Sequence, residues 1–231
     1  MLKKINKILV ANRGEIAIRI FRACSELGIK SVCIYSKEDK YSLFRTKADE
    51  SYLIGEDKGP IDAYLDIDAI IKLAKEKNID AIHPGYGFLS ENPEFVRKCE
   101  ENGIIFIGSS ADIMNMMGDK INSKQIAKNV SVPTIPGIYK PIKSIEEAKE
   151  IASKIGYPIM LKASNGGGSR GMRVVYDENN LGIEYETACS ESKKAFGEDI
   201  IFIEKFIKNP KHIEVQILGD MYGNIVHLYE R

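Results

Sequence analysis

Short apolar runs and amphipathic stretches alternate through the first half of the chain. Ile8-Leu9-Val10-Ala11 is a buried-strand run, and Glu15 to Leu27 places Ile16, Ile20, Ala23 and Leu27 at helical spacing before Gly28 ends the pattern. Ser31 to Tyr35 and Ser51 to Gly55 are further strand patterns, and Asp66 to Lys77 turns Ile70, Leu73 and Ala74 inward as a helix. Asp80 to His83, a helix near Pro93 to Asn102 and the strand Ile104 to Gly108 continue the alternation. Strands that alternate with helices predict an open, Rossmann-like parallel sheet covered on both faces, over residues 1–112.

A helical connector follows, with its pattern running from about Ala111 to Asn129 and its domain assignment at 113–131. Val132-Pro133-Thr134-Ile135-Pro136-Gly137 then breaks the periodicity. Ser144-Ile145-Glu146-Glu147 fits a capping box for a helix to about Ile155, with Gly156 past its end. Strands at Tyr157–Lys162 and Met172–Tyr176, a helix over about Leu181–Ala195 and a strand at Asp199–Ile207 predict a small α+β domain at 132–203. From residue 204 a third domain begins. Pro210 to Asp220 alternates apolar and polar, Met221-Tyr222-Gly223-Asn224 turns, and Ile225 to Tyr229 returns as a hairpin whose strands want further partners.

Charge narrows the partners. Lys plus Arg total 33 and Asp plus Glu total 33, so no global field favours nucleic acid or an anionic membrane. Small charged metabolites fit better. Cys24, Cys33, Cys99 and Cys189 lack metal-ligand spacing, and the first three fall in apolar runs, which predicts reduced buried thiols and a cytoplasmic location. The opening Met1-Leu2-Lys3-Lys4-Ile5-Asn6-Lys7 is basic, but the apolar run after it is too short for a signal or membrane segment.

Candidate chemistry centres on Lys162-Ala163-Ser164-Asn165-Gly166-Gly167-Gly168-Ser169-Arg170-Gly171-Met172-Arg173, where four glycines and three cations crowd between two strands. Glycines let successive N–H groups converge on an anion. A dinucleotide fingerprint would need the glycines to open a helix, and a P-loop would need Gly-Lys-Ser/Thr at its end, so an antiparallel flap over a polyphosphate is the better reading; a ligand-free hairpin tip is the alternative. Ala11-Asn12-Arg13-Gly14-Glu15 holds one glycine where a dinucleotide site needs three, which argues against NAD. The loop from His83 to Asn92 emerges at the carboxyl end of the sheet, where open α/β sheets bind ligands. Its alternative is a rigid turn with Phe88 and Leu89 tucked inward and His83 hydrogen-bonded structurally. Asp199 to Ile207 changes polarity at Glu204, where main-chain groups could meet a purine, or where a strand simply reaches solvent.

Taken together, Val10-Ala11-Asn12-Arg13-Gly14-Glu15, His83-Pro84-Gly85-Tyr86-Gly87-Phe88-Leu89-Ser90-Glu91-Asn92, Met117-Gly118-Asp119-Lys120, the glycine run and His212-Ile213-Glu214-Val215-Gln216 resemble biotin carboxylase, an ATP-grasp enzyme, end to end. Lys47-Ala48-Asp49-Glu50, the stretch Pro60 to Ile67 and Asn224 to Arg231 look more like the pyruvate carboxylase branch than the acetyl-CoA carboxylase subunit. The resemblance implies an ATP-grasp lid at 132–203 and the start of its C-terminal subdomain at 204–231. It further implies that ATP and bicarbonate form carboxyphosphate, whose carbon dioxide passes to biotin on a carrier domain.

By the same resemblance, Lys120 and Lys162 contact the ATP phosphates, Gly166, Gly167, Gly168 and Ser169 cover them, and Glu204, Lys205, Phe206 and Ile207 hold adenine. His212 reaches the ribose side. His83, Gly85, Tyr86, Gly87, Phe88 and Glu91 face the biotin and bicarbonate end. Asn165 and Ser169 stand where the family usually has glycine, which implies a stiffer flap. The family's Mg²⁺ carboxylates and catalytic glutamate lie beyond Arg231, so residues 1–231 are expected to contain no metal ligand and no catalytic residue, and to be inactive alone. A biotinyl carrier domain, a carboxyltransferase domain and a homo-oligomer are the implied partners. The rival readings are a non-catalytic nucleotide-binding or assembly module and another ATP-grasp ligase, such as a carbamoyl-phosphate synthetase relative; the His83 to Asn92 loop argues against the latter.

Overall fold

In the computed structural model, residues 4–118, 120–138, 140–163, 172–197 and 199–231 are described. They fall into two compact units, 1–123 and 124–231. The first opens with β1 (Lys7–Val10), α1 (Gly14–Glu26), β2 (Lys30–Tyr35) and β3 (Glu50–Leu53). α2 (Ile67–Glu76), β4 (Ala81–His83), α3 (Pro93–Glu101) and β5 (Ile105–Phe106) follow. The five strands lie in the order β3-β2-β1-β4-β5, every pairing parallel.

The sheet is buried on both sides because alternate residues of its strands feed two separate cores. Leu9, Val32, Ile34 and Ile82 join Ile70, Ala74 and Phe95 of α2 and α3, whereas Ile8, Val10 and Cys33 join Ala17, Ile20 and Phe21 of α1. Cys24, Cys33 and Cys99 are buried free thiols; burial pushes Cys33 and Cys99 up to about 12. The helix starts are chemically marked. The Asp66 carboxylate accepts from Ala69 N–H at 3.1 Å, and the Asn92 amide oxygen accepts from Phe95 N–H at 3.0 Å, with Pro93 in the first turn.

β5 spans only two residues where the pattern predicts five. It is an edge strand on the three-residue β4, so the ladder has nothing more to pair with. Short 3-10 turns at Lys37–Asp39, Leu43–Lys47 and Asp62–Leu65 have no counterpart in the periodic pattern.

α4 (Ala111–Gly118) and α5 (Lys120–Asn129) follow, on either side of Asp119, which is outside the described residues. The second unit then holds β6 (Gly137–Ile138), α6 (Ile145–Ile155), β7 (Ile159–Ala163), β8 (Met172–Val175), α7 (Glu178–Phe196) and β9 (Ile201–Lys205). Its sheet runs β6-β9-β7-β8, antiparallel throughout. Ile159, Leu161, Ile201 and Ile203 pack under Ile151 of α6 and Leu181 and Tyr185 of α7. The side-chain period of two therefore sends Met160, Lys162, Phe202 and Glu204 to the opposite face.

Two expectations need correction here. Ser144 Oγ accepts from Glu147 N–H at 3.2 Å as a capping box requires, but the Glu147 carboxylate accepts from Lys143 N–H at 2.9 Å and pairs with Lys140 rather than closing onto Ser144. α7 begins at Glu178, capped by Asp177, three residues before the predicted start, because its first turn is polar and leaves no apolar signal. β10 (Val215–Gly219) and β11 (Ile225–Glu230) form a two-stranded antiparallel sheet, exposed on both faces. Among the described residues no helix is long and apolar enough to cross a membrane.

Candidate nucleotide site

On the polar face of the second sheet, β9 ends by burying a carboxylate. Glu204 is 3% exposed, and its register partner across β7 is Met160, which brings Lys162 one pleat away on the same face. Lys162 Nζ pairs with Glu204 Oε1, while Lys124 Nζ of α5 donates to Oε2 at 2.6 Å. Burial alone would raise the Glu204 carboxyl, but the two ammonium groups outweigh it and hold the group below its ordinary range. Among the described residues two cations share this one carboxylate, an excess of about one positive charge where β7 runs into the glycine run. An anion would complete the balance.

The residues after Glu204 are largely committed through their backbone and side chains. Lys205 N–H donates to Pro136 O at 2.7 Å and Phe206 N–H to Pro158 O at 3.1 Å. The Lys205 ammonium donates to Gly156 O at 2.8 Å and Tyr157 O at 3.0 Å, tying β9 to the turn after α6. Ile207, half-exposed, follows directly. β6 lines this segment through Gly137, where an added Cβ would stand 2.7 Å from Ile203 O. His212 lies on an exposed stretch with Nε2 2.8 Å from Glu214.

Lys162, Glu204 and the Lys205–Ile207 segment are thus brought together, and no described contact adds His212 to them. Gly166, Gly167, Gly168 and Ser169 lie outside the described residues, as does the side chain of Lys120. Lys124 has no place in the motif reading. Its only signal in the sequence was a lysine within the predicted connector helix, four positions after Lys120.

In the first unit the loop from His83 to Glu91 is anchored from below. Asn12 Nδ2 donates to Pro84 O at 2.7 Å and to Tyr86 O at 2.8 Å, and an added Cβ on Gly85 (φ +66°) would come 2.7 Å from that nitrogen. His83 Nδ1 accepts from Gly85 N–H at 3.0 Å, and burial lowers its pKa, so the imidazole is a neutral structural acceptor. The Tyr86 hydroxyl donates to Glu15, and Glu91 is exposed. Phe88, at φ +43°, stacks on the buried Tyr64 ring with centroids 5.3 Å apart.

Tyr64 Oη donates to Asp39 Oδ2 at 2.7 Å, and Arg13 grips the same carboxylate through Nε at 2.7 Å and Nη2 at 2.6 Å. Arg13 is therefore held by Asp39. The Arg13 bond, with help from Ser42 and Tyr64, holds the Asp39 carboxyl at about 2. A depressed folded pKa adds stability that is complete above the unfolded value of roughly 3.9 and is lost as pH falls toward 2. Because the Arg13 side chain is half-exposed, we expect about 1–2 kcal/mol to disappear over that window. Acid titration of the unfolding midpoint checks this, and an Asp39→Asn variant should show a flatter profile there.

Residues 4–114 match the family model for the biotin carboxylase N-terminal domain, and 119–231 match that for the carbamoyl-phosphate synthase L chain ATP binding domain. The chain is 57% identical over 229 residues to pyruvate carboxylase of Bacillus subtilis, covering 99% of this chain and 20% of that protein. The chain belongs to the biotin carboxylase family. Among solved structures, a Campylobacter jejuni biotin carboxylase in complex with beta-gamma-ATP superposes with a TM-score of 0.89 at 48% identity, covering 98% of this chain and 51% of that one. The biotin carboxylase domain dimer of Hydrogenobacter thermophilus 2-oxoglutarate carboxylase, with MgADP, ADP and bicarbonate, gives a TM-score of 0.87 at 52% identity, covering 99% and 50%. The chain therefore spans about half the length of these solved family members and a fifth of the pyruvate carboxylase.

Proposed function

We propose that these residues supply the nucleotide contacts of a biotin carboxylase. In that reaction a bicarbonate oxygen attacks the γ-phosphorus of ATP, ADP leaves, and the carbon dioxide released from carboxyphosphate passes to biotin on a carrier domain. The observation that carries the reading is the Lys162–Glu204–Lys124 cluster, two cations on one carboxylate among the described residues, gathered from α5, β9 and the strand that leads into four glycines. Lys162 and Lys120 would hold phosphate oxygens as compact cations, with Gly166 to Ser169 closing over them, and the main chain of Glu204 to Ile207 would meet the adenine edge. His212 is assigned to the ribose side, and the His83 to Asn92 loop to the biotin and bicarbonate end.

The finer domain division belongs to the same proposal: 1–112, a connector at 113–131, a lid at 132–203 and the start of a further subdomain from 204. The β10–β11 hairpin would be the first piece of that subdomain, which explains two exposed strands. The acceptor we favour is pyruvate, on the 57% identity to the Bacillus subtilis enzyme. A carrier domain, a carboxyltransferase domain and a second copy of the chain are the proposed partners. Among the described residues no group of three His, Cys, Asp or Glu side chains is placed to hold a metal ion.

The test compares residues 1–231 with a carboxylase of the length of its solved relatives that contains them. The longer protein should release phosphate from ATP only when bicarbonate is present and faster with free biotin, whereas residues 1–231 should bind ADP weakly and release none above a blank. Nucleotide binding without bicarbonate-dependent turnover in the longer protein would favour the non-catalytic module and overturn the enzymatic reading.

A further inference from the structure

Glu204 divides its two oxygens between two lysines from different elements: Lys162 of β7 takes Oε1 and Lys124 of α5 takes Oε2 at 2.6 Å. If Lys162 turns to a phosphate, one oxygen loses its partner. A carboxylate that is 3% exposed cannot recover that contact from solvent, and an unpaired buried charge is strongly unfavourable. The second lysine changes this outcome. Lys124 reaches Glu204 from a helix rather than from the strand that carries Lys162, and its ammonium lies 5.9 Å over the Phe202 ring, the neighbour of Glu204 on the same face.

We propose that Lys124 is a positioning residue of the nucleotide site, keeping the buried Glu204 carboxylate charged and in place while Lys162 exchanges from it to the phosphates of a nucleoside di- or triphosphate. This rests on the nucleotide reading of the cluster. It assigns Lys124 no contact with the ligand. The charged groups facing Glu204 among the described residues come from β7 and α5 alone; β6 contributes Gly137 and Ile138, and α6 and α7 cover the other face of the sheet. With Lys124 present, the exchange needs no proton. Without it, Glu204 must take up a proton when Lys162 leaves, so nucleotide binding becomes tighter as pH falls.

The experiment is calorimetric titration of ADP into the longer carboxylase that contains residues 1–231, at pH 6 and pH 8, in buffers of different ionisation enthalpy. For the natural chain little net proton uptake is expected. Lys124→Met should lose about tenfold in affinity at pH 8, lose less at pH 6 and take up close to one proton per ADP, while Lys124→Arg should behave like the natural chain. A double variant, Lys124→Met with Glu204→Gln, removes the charge that needs a partner. It should recover much of the lost affinity without pH dependence, and it provides the test if the single variant folds poorly. Equal losses at both pH values without proton uptake, or no loss at all, would overturn the inference while leaving the nucleotide reading intact. Absence of ADP binding by the unsubstituted longer protein would overturn both.

Discussion

Replacing Lys162 with methionine should weaken ADP or ATP binding by roughly 10- to 150-fold, the equivalent of the ~1.5–3 kcal/mol that a charge-assisted contact contributes. Methionine keeps most of the length and the unbranched apolar stem opposite Phe202, so the loss reports the charge. Folding should survive. Glu204 keeps its 2.6 Å bond to Lys124, and the core face of β7, made by Ile159, Leu161 and Ala163, is untouched. In the longer carboxylase, affinity for biotin should change little, because the substitution acts on the phosphates. Unchanged nucleotide affinity with an intact circular dichroism spectrum would reject the phosphate role and reduce Lys162 to a structural counter-ion of Glu204.

Tyr64→Ala should be the most damaging single change in the first unit. The ring is fully buried, stacked on Phe88 and hydrogen-bonded to Asp39. Removing a buried aromatic costs about 3–5 kcal/mol, comparable to much of a domain's stability. Tyr64→Phe separates the contributions: the stack remains and only the hydroxyl is lost, for about 1–2 kcal/mol. Urea unfolding followed by amide exchange should show protection lost across β1, β2 and β4 in the alanine variant, with β7 and β9 little changed. An alanine variant within about 1 kcal/mol of the natural chain would mean that the Arg13–Asp39–Tyr64 network is incidental to the packing.

The alternation of strands and helices in the first unit was legible because each element is long enough to show its period and is marked at its ends. In the structure Asp66 and Asn92 cap their helices and Pro93 opens the second. The antiparallel pair around the glycine run was legible for the same reason, and β7 and β8 pair as expected, Lys162 opposite Met172. β6 was not, because two residues after a Pro-rich stretch carry no periodicity and Gly137 is dictated by the close approach of Ile203 O.

At the candidate site, local sequence singled out Lys162 and Glu204 but not their relation, since 42 positions separate residues that only the β7–β9 register brings together. Burial of Glu204 was equally hidden. Its position at the change from apolar to mixed residues also suits a solvent-facing strand end, and only the two lysines make a buried carboxylate tolerable. Arg13 and Asp39 are 26 positions apart, and Tyr64 reaches them through a 3-10 turn, an element without a hydrophobic signature. Motifs point to such groups one at a time; tertiary contacts decide which of them meet.

Chemical-shift mapping of isotopically labelled residues 1–231 during ADP titration tests most directly whether the polar face of the second sheet is the nucleotide site. The amides of Lys162 and of Lys205 to Ile207, together with the Lys162 and Glu204 side chains, should shift with a common saturation curve, while the His83 to Glu91 loop stays in place. Saturable shifts confined to the first unit, with Lys162 and Glu204 unmoved at saturation, would contradict the assignment.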